Sequence, residues 1–156
     1  MKNKQIVDQL KKIKTDSMVD IKLHITKYGL NETCYHSGTW KGYSFYCESS
    51  VNWKRSEAES EMDLDDLIKL LKKKDLSEMS SEDFSNVSLG ESSDGSTEVS
   101  DIEWTDGEPT DEEKEDLDPM DLYWNSDIND ADYEFPVGGV WMMEINVDGE
   151  TFTIEN

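Results

Sequence analysis

Two histidines and two cysteines, residue types that often bind transition metals, fall close together in the sequence. They are His24, Cys34, His36 and Cys47, and the chain contains no others of either type. Two Cys and two His suit a tetrahedral zinc site, and Cys34 and His36 would share one face of a strand. Their spacing, however, lacks the C-x-x-C and H-x-x-x-H pairs of zinc knuckles. We therefore interpret them as ordinary strand residues and expect no metal; the sequence does not decide whether the four cluster.

The oxygen-rich segment SDINDADYE, residues 126–134, invites comparison with a calcium loop because calcium takes oxygen ligands. It departs from the loop pattern: with Asp127 at the first position, Ala131 falls at the fifth and Asp132 takes the place of the glycine. The sequence also contains no G-x-S-x-G motif and no phosphate-binding loop. We expect a non-enzymatic protein without a cofactor.

The most distinctive segment is DIEWTDGEPTDEEKEDLDPMD, residues 101–121, which holds eleven carboxylates and a single cation, Lys114. The net charge of −22 is concentrated in the second half of the chain, where residues 56–156 hold thirty-two Asp and Glu against five Lys and Arg. Such a surface repels nucleic acid and anionic membranes and attracts basic proteins. We expect the partner to be a basic protein surface, with no direct binding to nucleic acid or membrane.

Aromatic residues interrupt the acidic part of the chain, whereas a purely solvating tail would lack them. They are Trp104, Tyr123, Trp124, Tyr133 and Phe135. We expect some of them to pack on a sheet and so to hold neighbouring carboxylates in fixed positions. Trp104 ends a strand-like segment and is expected in the core, whereas Trp124 lies among acids and is expected at an interface.

The predicted partner-binding surface combines carboxylates with two aromatic side chains. Alternate strand residues point the same way about 6.6 Å apart, as for Asp101 and Glu103, and helical neighbours such as Glu112 and Glu115 lie similarly close. A rigid carboxylate array can occupy a groove that binds phosphates, and buried aromatic anchors would add affinity. The residues predicted to contact the partner are Asp101, Glu103, Asp106, Glu108, Asp111, Glu112, Glu113, Glu115, Asp116, Asp118, Asp121, Tyr123, Trp124, Asp127, Asp130 and Asp132.

Hydrophobic periodicity predicts the elements that position this surface. Amphipathic helices are predicted over residues 3–14 and 63–74, the second with Asp63 as its N-cap. A half-buried strand is predicted over residues 19–28, and two more strands are predicted within residues 34–53, around Gly38 and Gly42.

The C-terminal segment predicts a hairpin that turns at Asp148-Gly149. A two-residue turn there sets Ile145 opposite Phe152 and Met143 opposite Ile154, so pairing and hydrophobic face agree. The fold class is predicted to be α+β, an antiparallel sheet with two amphipathic helices. An N-terminal meander and this hairpin form the sheet.

Two short acidic helical turns are predicted between the helices and the hairpin. Thr110-x-x-Glu113 matches a capping box, and Asp118-Pro119 matches an N-cap followed by proline at the first helical position. Residues 76–100 are rich in Ser, Glu, Asp and Gly, which predicts a mobile linker or insertion, most clearly over residues 77–100. Residues 1–75 and 101–156 are predicted to complete one domain around it.

A small, extremely acidic chain without catalytic motifs resembles the DNA-mimic inhibitors that phages use against host restriction, CRISPR or repair systems. It equally resembles immunity proteins that cap basic nuclease toxins. The resemblance covers composition and charge placement, and it implies an inhibitor that blocks a nucleic-acid-binding groove or a nuclease active site. A third hypothesis is an acidic chaperone or scaffold for basic proteins, in which residues 77–121 are disordered.

The N-terminal stretch MKNKQIVDQLKKIK is basic but lacks the apolar run of about 7–15 residues that a secretory peptide needs. We expect a cytoplasmic protein, in which both cysteines are free thiols.

Overall fold

The computed structural model describes residues 3–25, 29–54, 56–91 and 97–155. Within these residues, nine strands form two antiparallel sheets and three α-helices accompany them, which confirms the predicted α+β class. In chain order the elements are α1 (Asn3–Leu10), β1 (Val19–Ile25), β2 (Leu30–Trp40), β3 (Tyr43–Trp53), β4 (Glu57–Met62), α2 (Leu64–Lys73), β5 (Ser88–Leu89), β6 (Thr97–Trp104), α3 (Pro119–Trp124), β7 (Ser126–Glu134), β8 (Val140–Val147) and β9 (Glu150–Glu155).

The chain divides into two compact units. Unit 1 comprises Met1–Leu30, Trp53–Asp94 and Tyr133–Asn156, and unit 2 comprises Asn31–Asn52 and Gly95–Asp132. Chain length favours a single domain and does not predict this division.

The predicted N-terminal meander is divided between two sheets. β1 pairs with β4 and β8 in a five-stranded sheet, whereas β2 and β3 are neighbours in a four-stranded sheet. Alternation of apolar residues fixes which face of a strand is buried, but it does not fix the strand with which it pairs.

The sheet of unit 1 has the order β5-β4-β1-β8-β9. The central strand β1 alternates as predicted, because one face packs on the core while the other carries polar residues. Helices α1 and α2 bury apolar residues in the same core, and α1 packs against α2.

The side-chain amide of Asn3 donates to the carbonyl oxygens of Leu71 at 3.1 Å and Lys74 at 2.8 Å, which satisfies carbonyls at the end of α2. Asp63 precedes α2 with an extended backbone but makes no side-chain capping bond.

The C-terminal hairpin forms as predicted. Asp148 and Gly149 have φ angles of 49° and 86°, the positive values that a type I′ turn requires. Ile145 pairs with Phe152 and Met143 pairs with Ile154, and all four side chains are buried in the core of unit 1. The sequence therefore specified both the turn and the register of this hairpin.

Residues 76–91 belong to unit 1 and contribute buried side chains to its core, instead of forming a mobile linker. Leu76, Met79 and Phe84 are almost completely buried there, and 3-10 turns form at Leu76–Glu78 and Ser81–Asp83. The amino-acid composition wrongly predicted a mobile linker. A few well-spaced apolar residues are enough to hold an otherwise polar segment on a core. The part of the linker prediction that covers residues 92–96 lies outside the described residues.

The sheet of unit 2 has the order β6-β3-β2-β7. β2 and β3 are joined at Lys41 and Gly42, whose φ angles of 49° and 85° again fit a type I′ turn. Gly38 lies inside β2, not at a turn. A Cβ atom at this position would lie 2.3 Å from the carbonyl oxygen of Asn125, so glycine permits a close backbone approach.

We predict that Met79→Ala lowers the free energy of unfolding by about 2–5 kcal/mol, because it leaves a cavity at a completely buried position. Ser77→Ala, a change at an exposed position in the same turn, should alter it by less than about 0.5 kcal/mol. Urea unfolding followed by tryptophan fluorescence measures both. If both variants lost equally little free energy of unfolding, the segment would be a linker and not part of the core.

Candidate protein-binding surface

All sixteen residues predicted to contact the partner belong to unit 2. This unit carries seventeen Asp and Glu against two lysines. Both lysines are engaged within the unit: the ammonium of Lys41 lies 4.7 Å from the ring centre of Trp40, and Lys114 forms an ion pair with Glu108 at 2.7 Å. Most of the carboxylates therefore have no basic side chain of unit 2 to neutralise them.

The acidic loop that follows β6 is fixed by a capping box at the predicted place. The N–H of Thr110 donates to Glu113 Oε1 at 3.1 Å, and the N–H of Glu113 donates to Thr110 Oγ1 at 3.2 Å. The hydroxyl of Tyr43 on β3 donates to the same carboxylate at 2.8 and 2.9 Å. These bonds, led by the one from the Thr110 backbone, lower the pKa of Glu113, so this carboxylate serves to hold the loop.

The one-turn 3-10 helix Glu113–Asp116 continues this loop and keeps its acids on the surface. The N–H of Glu115 donates to the carbonyl of Glu112 at 3.3 Å, so these two residues are neighbours on one turn, as predicted. Leu117 follows and packs against the core of unit 2. The other predicted acids of the segment are exposed: Asp106, Glu108, Asp111, Glu112, Glu115, Asp116 and Asp118.

Helix α3 begins with the predicted N-cap. Oδ1 of Asp118 accepts a hydrogen bond from the N–H of Met120 at 3.1 Å, and proline occupies the first helical position. Leu122 is completely buried and anchors the helix on the sheet. Tyr123 and Trp124 form an edge-to-face pair at 5.0 Å, and the Trp124 side chain is 74% exposed.

Trp104 is half-buried and packs against the core of unit 2, as predicted. Its ring lies 6.0 Å from those of Trp40 and Phe45 and 6.4 Å from that of Tyr43, measured between ring centres. Trp124 is exposed, as an interface residue must be, and its role in binding stays a prediction.

The acids of β6 do not follow simple strand alternation. Tyr46 pairs with Glu103 and Glu48 pairs with Ser100, so β6 carries an extra residue between these pairs. Asp101 lies in this bulge with a φ angle of 50°, so exposure stops alternating between Ser100 and Asp101. From Asp101 onward the alternation resumes: Asp101 and Glu103 are both exposed, and Ile102 and Trp104 are half-buried.

The bulge brings Asp101 beside Glu48, a residue that the sequence-based site missed. The pKa of Glu48 is raised, first by its hydrogen bond with Asp101 and then by partial burial and the charges of Asp101 and Glu103. Glu48 and Tyr46 alternate along β3 with buried Phe45 and Cys47, and this pattern could have identified them. Carboxylates placed so close together favour the approach of a guanidinium or ammonium group.

Tyrosine also contributes to the acidic surface. The hydroxyl of Tyr35 on β2 donates to Oδ2 of Asp132 on β7 at 3.0 Å, and this bond raises the pKa of the phenol. Asp127 and Asp130 are exposed on β7, whereas Asp121 on α3 is half-buried. The segment compared with a calcium loop is thus an extended strand.

Each of the four metal-binding candidates except Cys47 has its own polar partner. His24 bonds Glu144 Oε2 at 2.8 Å, and the thiol of Cys34 donates to Glu32 Oε1 at 3.2 Å. Burial, reinforced by Glu32, raises the pKa of Cys34 to about 11, which makes it a poor nucleophile. Among the described residues, no group of three or more His, Cys, Asp or Glu side chains is arranged to hold a metal ion.

His36 is a buried crosslink within unit 2. Its Nε2 lies 2.6 Å from the Ser49 hydroxyl and its Nδ1 lies 3.1 Å from the Ser126 hydroxyl. Because Ser126 donates its own proton to the carbonyl of Tyr123 at 3.0 Å, the Ser126 oxygen accepts from Nδ1–H and leaves Nε2 to accept from Ser49. Burial lowers the pKa of His36, so the ring is neutral. His36 and Ser49 are 1% and 2% exposed, which leaves no room for a substrate at this Ser–His pair.

In the part of the chain that the structure describes, no helix has both the length and the apolar character needed to cross a membrane.

We predict that Trp104→Ala lowers the free energy of unfolding by about 3 kcal/mol, because the ring contacts three other aromatic rings. Trp124→Ala should change it by less than about 0.5 kcal/mol, because the side chain is mostly exposed. Urea titrations of the two variants test this directly. A loss at Trp124 as large as that at Trp104 would show that Trp124 is a core residue.

We also predict that His36 makes stability depend on pH near neutrality. Its folded-state pKa lies below the ordinary value of about 6.5, so the unfolded chain binds the proton more readily. The stability from the neutral ring is present above about pH 6.5 and is lost as pH falls toward the folded-state pKa. The slope is at most about 1.4 kcal/mol per pH unit.

The free energy of unfolding of the parent and of His36→Gln is measured with urea at about pH 7.5 and 5.5. The two proteins share the same acidic residues, so the contribution of those residues to the pH dependence cancels in the comparison. The parent should lose more stability on acidification than the variant. An equal loss in the two proteins would exclude His36 as the cause.

No family model, curated protein or solved structure matches this chain. Its function has to be inferred from its own residues and their geometry.

Proposed function

We propose that this protein is a non-enzymatic inhibitor that occupies a basic nucleic-acid-binding groove of a partner protein, with unit 2 as a mimic of DNA charge. One observation carries the proposal: an acid-rich segment is held in place by a capping box, an N-capped helix and buried apolar residues. Because the backbone of this segment is held, each of its carboxylates is attached at a fixed point of the surface, as phosphates are along a duplex. We place this action in the cytoplasm, in the manner of the anti-restriction and anti-CRISPR proteins of phages.

The amount of charge supports a binding role over a purely solubilising one. A net charge of magnitude about 2–8 keeps a small domain soluble. Unit 2 exceeds this range with seventeen carboxylates and two lysines, both of which have partners inside the unit. The excess attracts basic clefts and accelerates association with them.

Anchoring of the acidic segment also favours a shaped surface over the flexible chaperone hypothesis. Leu117 and Leu122 pack in the core, and Tyr43 holds Glu113 from a neighbouring strand. A chaperone that uses disorder to cover many basic proteins would need none of these contacts. An immunity protein that caps a nuclease toxin uses the same electrostatics, so the identity of the partner separates that alternative from a counter-defence inhibitor.

The test is a charge-neutralising variant of the acidic loop. Asp111→Asn, Glu112→Gln, Glu115→Gln and Asp116→Asn together remove four exposed charges and leave the structural Glu113 intact. The matched control, Glu59→Gln, Glu61→Gln, Asp65→Asn and Asp66→Asn, removes four exposed charges from unit 1.

Each protein serves as bait in a lysate of the cells that express it, and the partner is the protein that the control retains and the loop variant loses. The loop variant should associate with the purified partner at least about tenfold more slowly at low salt, and its rate should depend less on salt. Labelled duplex DNA should compete with the parent for the partner. Unchanged rates in the loop variant, or a partner that holds DNA and this protein at once, would refute the proposal.

A further inference from the structure

Strand β7 forms one edge of the sheet of unit 2. In the order β6-β3-β2-β7 it pairs with β2 on one side, and no described strand pairs with its other side. Its nine residues include a continuous exposed stretch, Asp127–Asp130, in which the apolar side chain of Ile128 is 55% exposed. A free edge presents backbone N–H and C=O groups to which another strand can bind.

The other sheet edges offer less to a partner strand. β5 has only two residues, and β6 is interrupted by the bulge at Asp101. A bulge in an edge strand disfavours pairing with a further strand. β9 is six residues long, and its large apolar residues, Phe152 and Ile154, are buried. β7 alone among the described edges combines length with an exposed apolar residue, and the exposed Trp124 lies just before it.

Charge determines which strand this edge accepts. The exposed carboxylates of β7 in unit 2 are Asp127, Asp130 and Asp132. The β7 strand of a second copy would place like charges opposite one another, which is unfavourable across a strand pair. Asp130 and Asp132 are two residues apart and so share one face of β7, where a strand with lysine or arginine at alternate positions would instead place opposite charges beside both.

The backbone geometry is consistent with an accessible edge. The N–H of Ala131 donates to Oδ1 of the adjacent Asp130 at 2.8 Å, a local bond typical of an amide that points away from the ladder. Such an amide can exchange this bond for one to a partner strand at small cost, because one hydrogen bond replaces another.

We infer that an extended basic segment of a protein partner adds to β7 as a fifth strand of this sheet, with Ile128 and Trp124 as its apolar contacts. The inference rests on the proposed function for the basic character of the partner, and it deepens that function by naming the mode of docking. Main-chain bonds supply affinity in such complexes, while alternate side chains supply specificity.

The first experiment uses peptides of about ten residues, a length that matches one strand. One peptide alternates lysine and valine, and its control alternates lysine and proline, which has equal charge but cannot donate main-chain hydrogen bonds. The lysine–valine peptide should bind at least tenfold more tightly (about 1.4 kcal/mol) and slow the exchange of amide protons in residues 127–132. Equal binding of the two peptides, or protection confined to other residues, would overturn strand addition.

The second experiment uses two variants of the edge. Ala131→Pro removes the N–H that bonds to Asp130 in the free protein, and Ile128→Ser removes the apolar contact. Each should weaken binding of the lysine–valine peptide, with the proline variant losing at least tenfold. Circular dichroism and urea unfolding establish that each variant is folded. If Ala131→Pro does not fold, the test of strand addition is whether the lysine–valine peptide slows amide exchange in residues 127–132 of the parent.

The outcomes separate this inference from the proposed function. Loss of the partner with the acidic-loop variant but not with a folded Ala131→Pro protein would retain the inhibitor and overturn strand addition. Loss with Ala131→Pro but not with the loop variant would support strand addition and overturn the role given to the loop. Retention by both variants would overturn both.

Discussion

Apolar packing beneath the acidic segment is the interaction on which unit 2 depends. Leu117, Leu122 and Trp104 fix the segment against Trp40 and Phe45, although the segment repels itself. Two carboxylates about 6–7 Å apart in water repel by roughly 0.6 kcal/mol before salt screening, whereas burying one large apolar side chain contributes about 1.5–3 kcal/mol. Burial of Leu122, with partial burial of Leu117 and Trp104, therefore outweighs several such pairs of exposed charges. The energetic condition is that the charges stay in water while the apolar residues leave it.

The polar groups of unit 2 also keep their charges in contact with water and leave only neutral groups in the interior. His36 is neutral and both ring nitrogens have hydroxyl partners, so the interior holds a crosslink without a charge. Glu113 is ionised but lies at the surface, where Tyr43 and the Thr110 backbone share its charge. Glu48 and Asp101 are the exception, because two carboxylates lie close enough at the bulge to share a hydrogen bond, which raises the pKa of Glu48. A cationic group placed beside them would favour the ionised form of both.

Local patterns in the sequence predicted the parts of the structure that local interactions determine. The hairpin at Asp148-Gly149, the Thr110–Glu113 capping box and the Asp118 N-cap each depend on residues within a few positions of one another. Pairing between distant strands could not be predicted in this way: β1 joins β4 and β8, and the extra residue at Asp101 depends on the register with β3. Composition failed at residues 76–91 because it averages over the few buried residues that decide the outcome.

The acids and the exposed apolar residues of unit 2 would act at different stages of binding. In the free protein, solvent ions screen carboxylates for which unit 2 provides almost no basic side chains. Fixed cations of a partner would displace those ions, so the acids should govern the association rate and its dependence on salt. Trp124 and Ile128 would lose water contact only after docking, and their contribution should therefore appear in the dissociation rate. A surface that divides these roles can find many basic proteins quickly, yet remain bound only to one whose groove accepts its apolar residues.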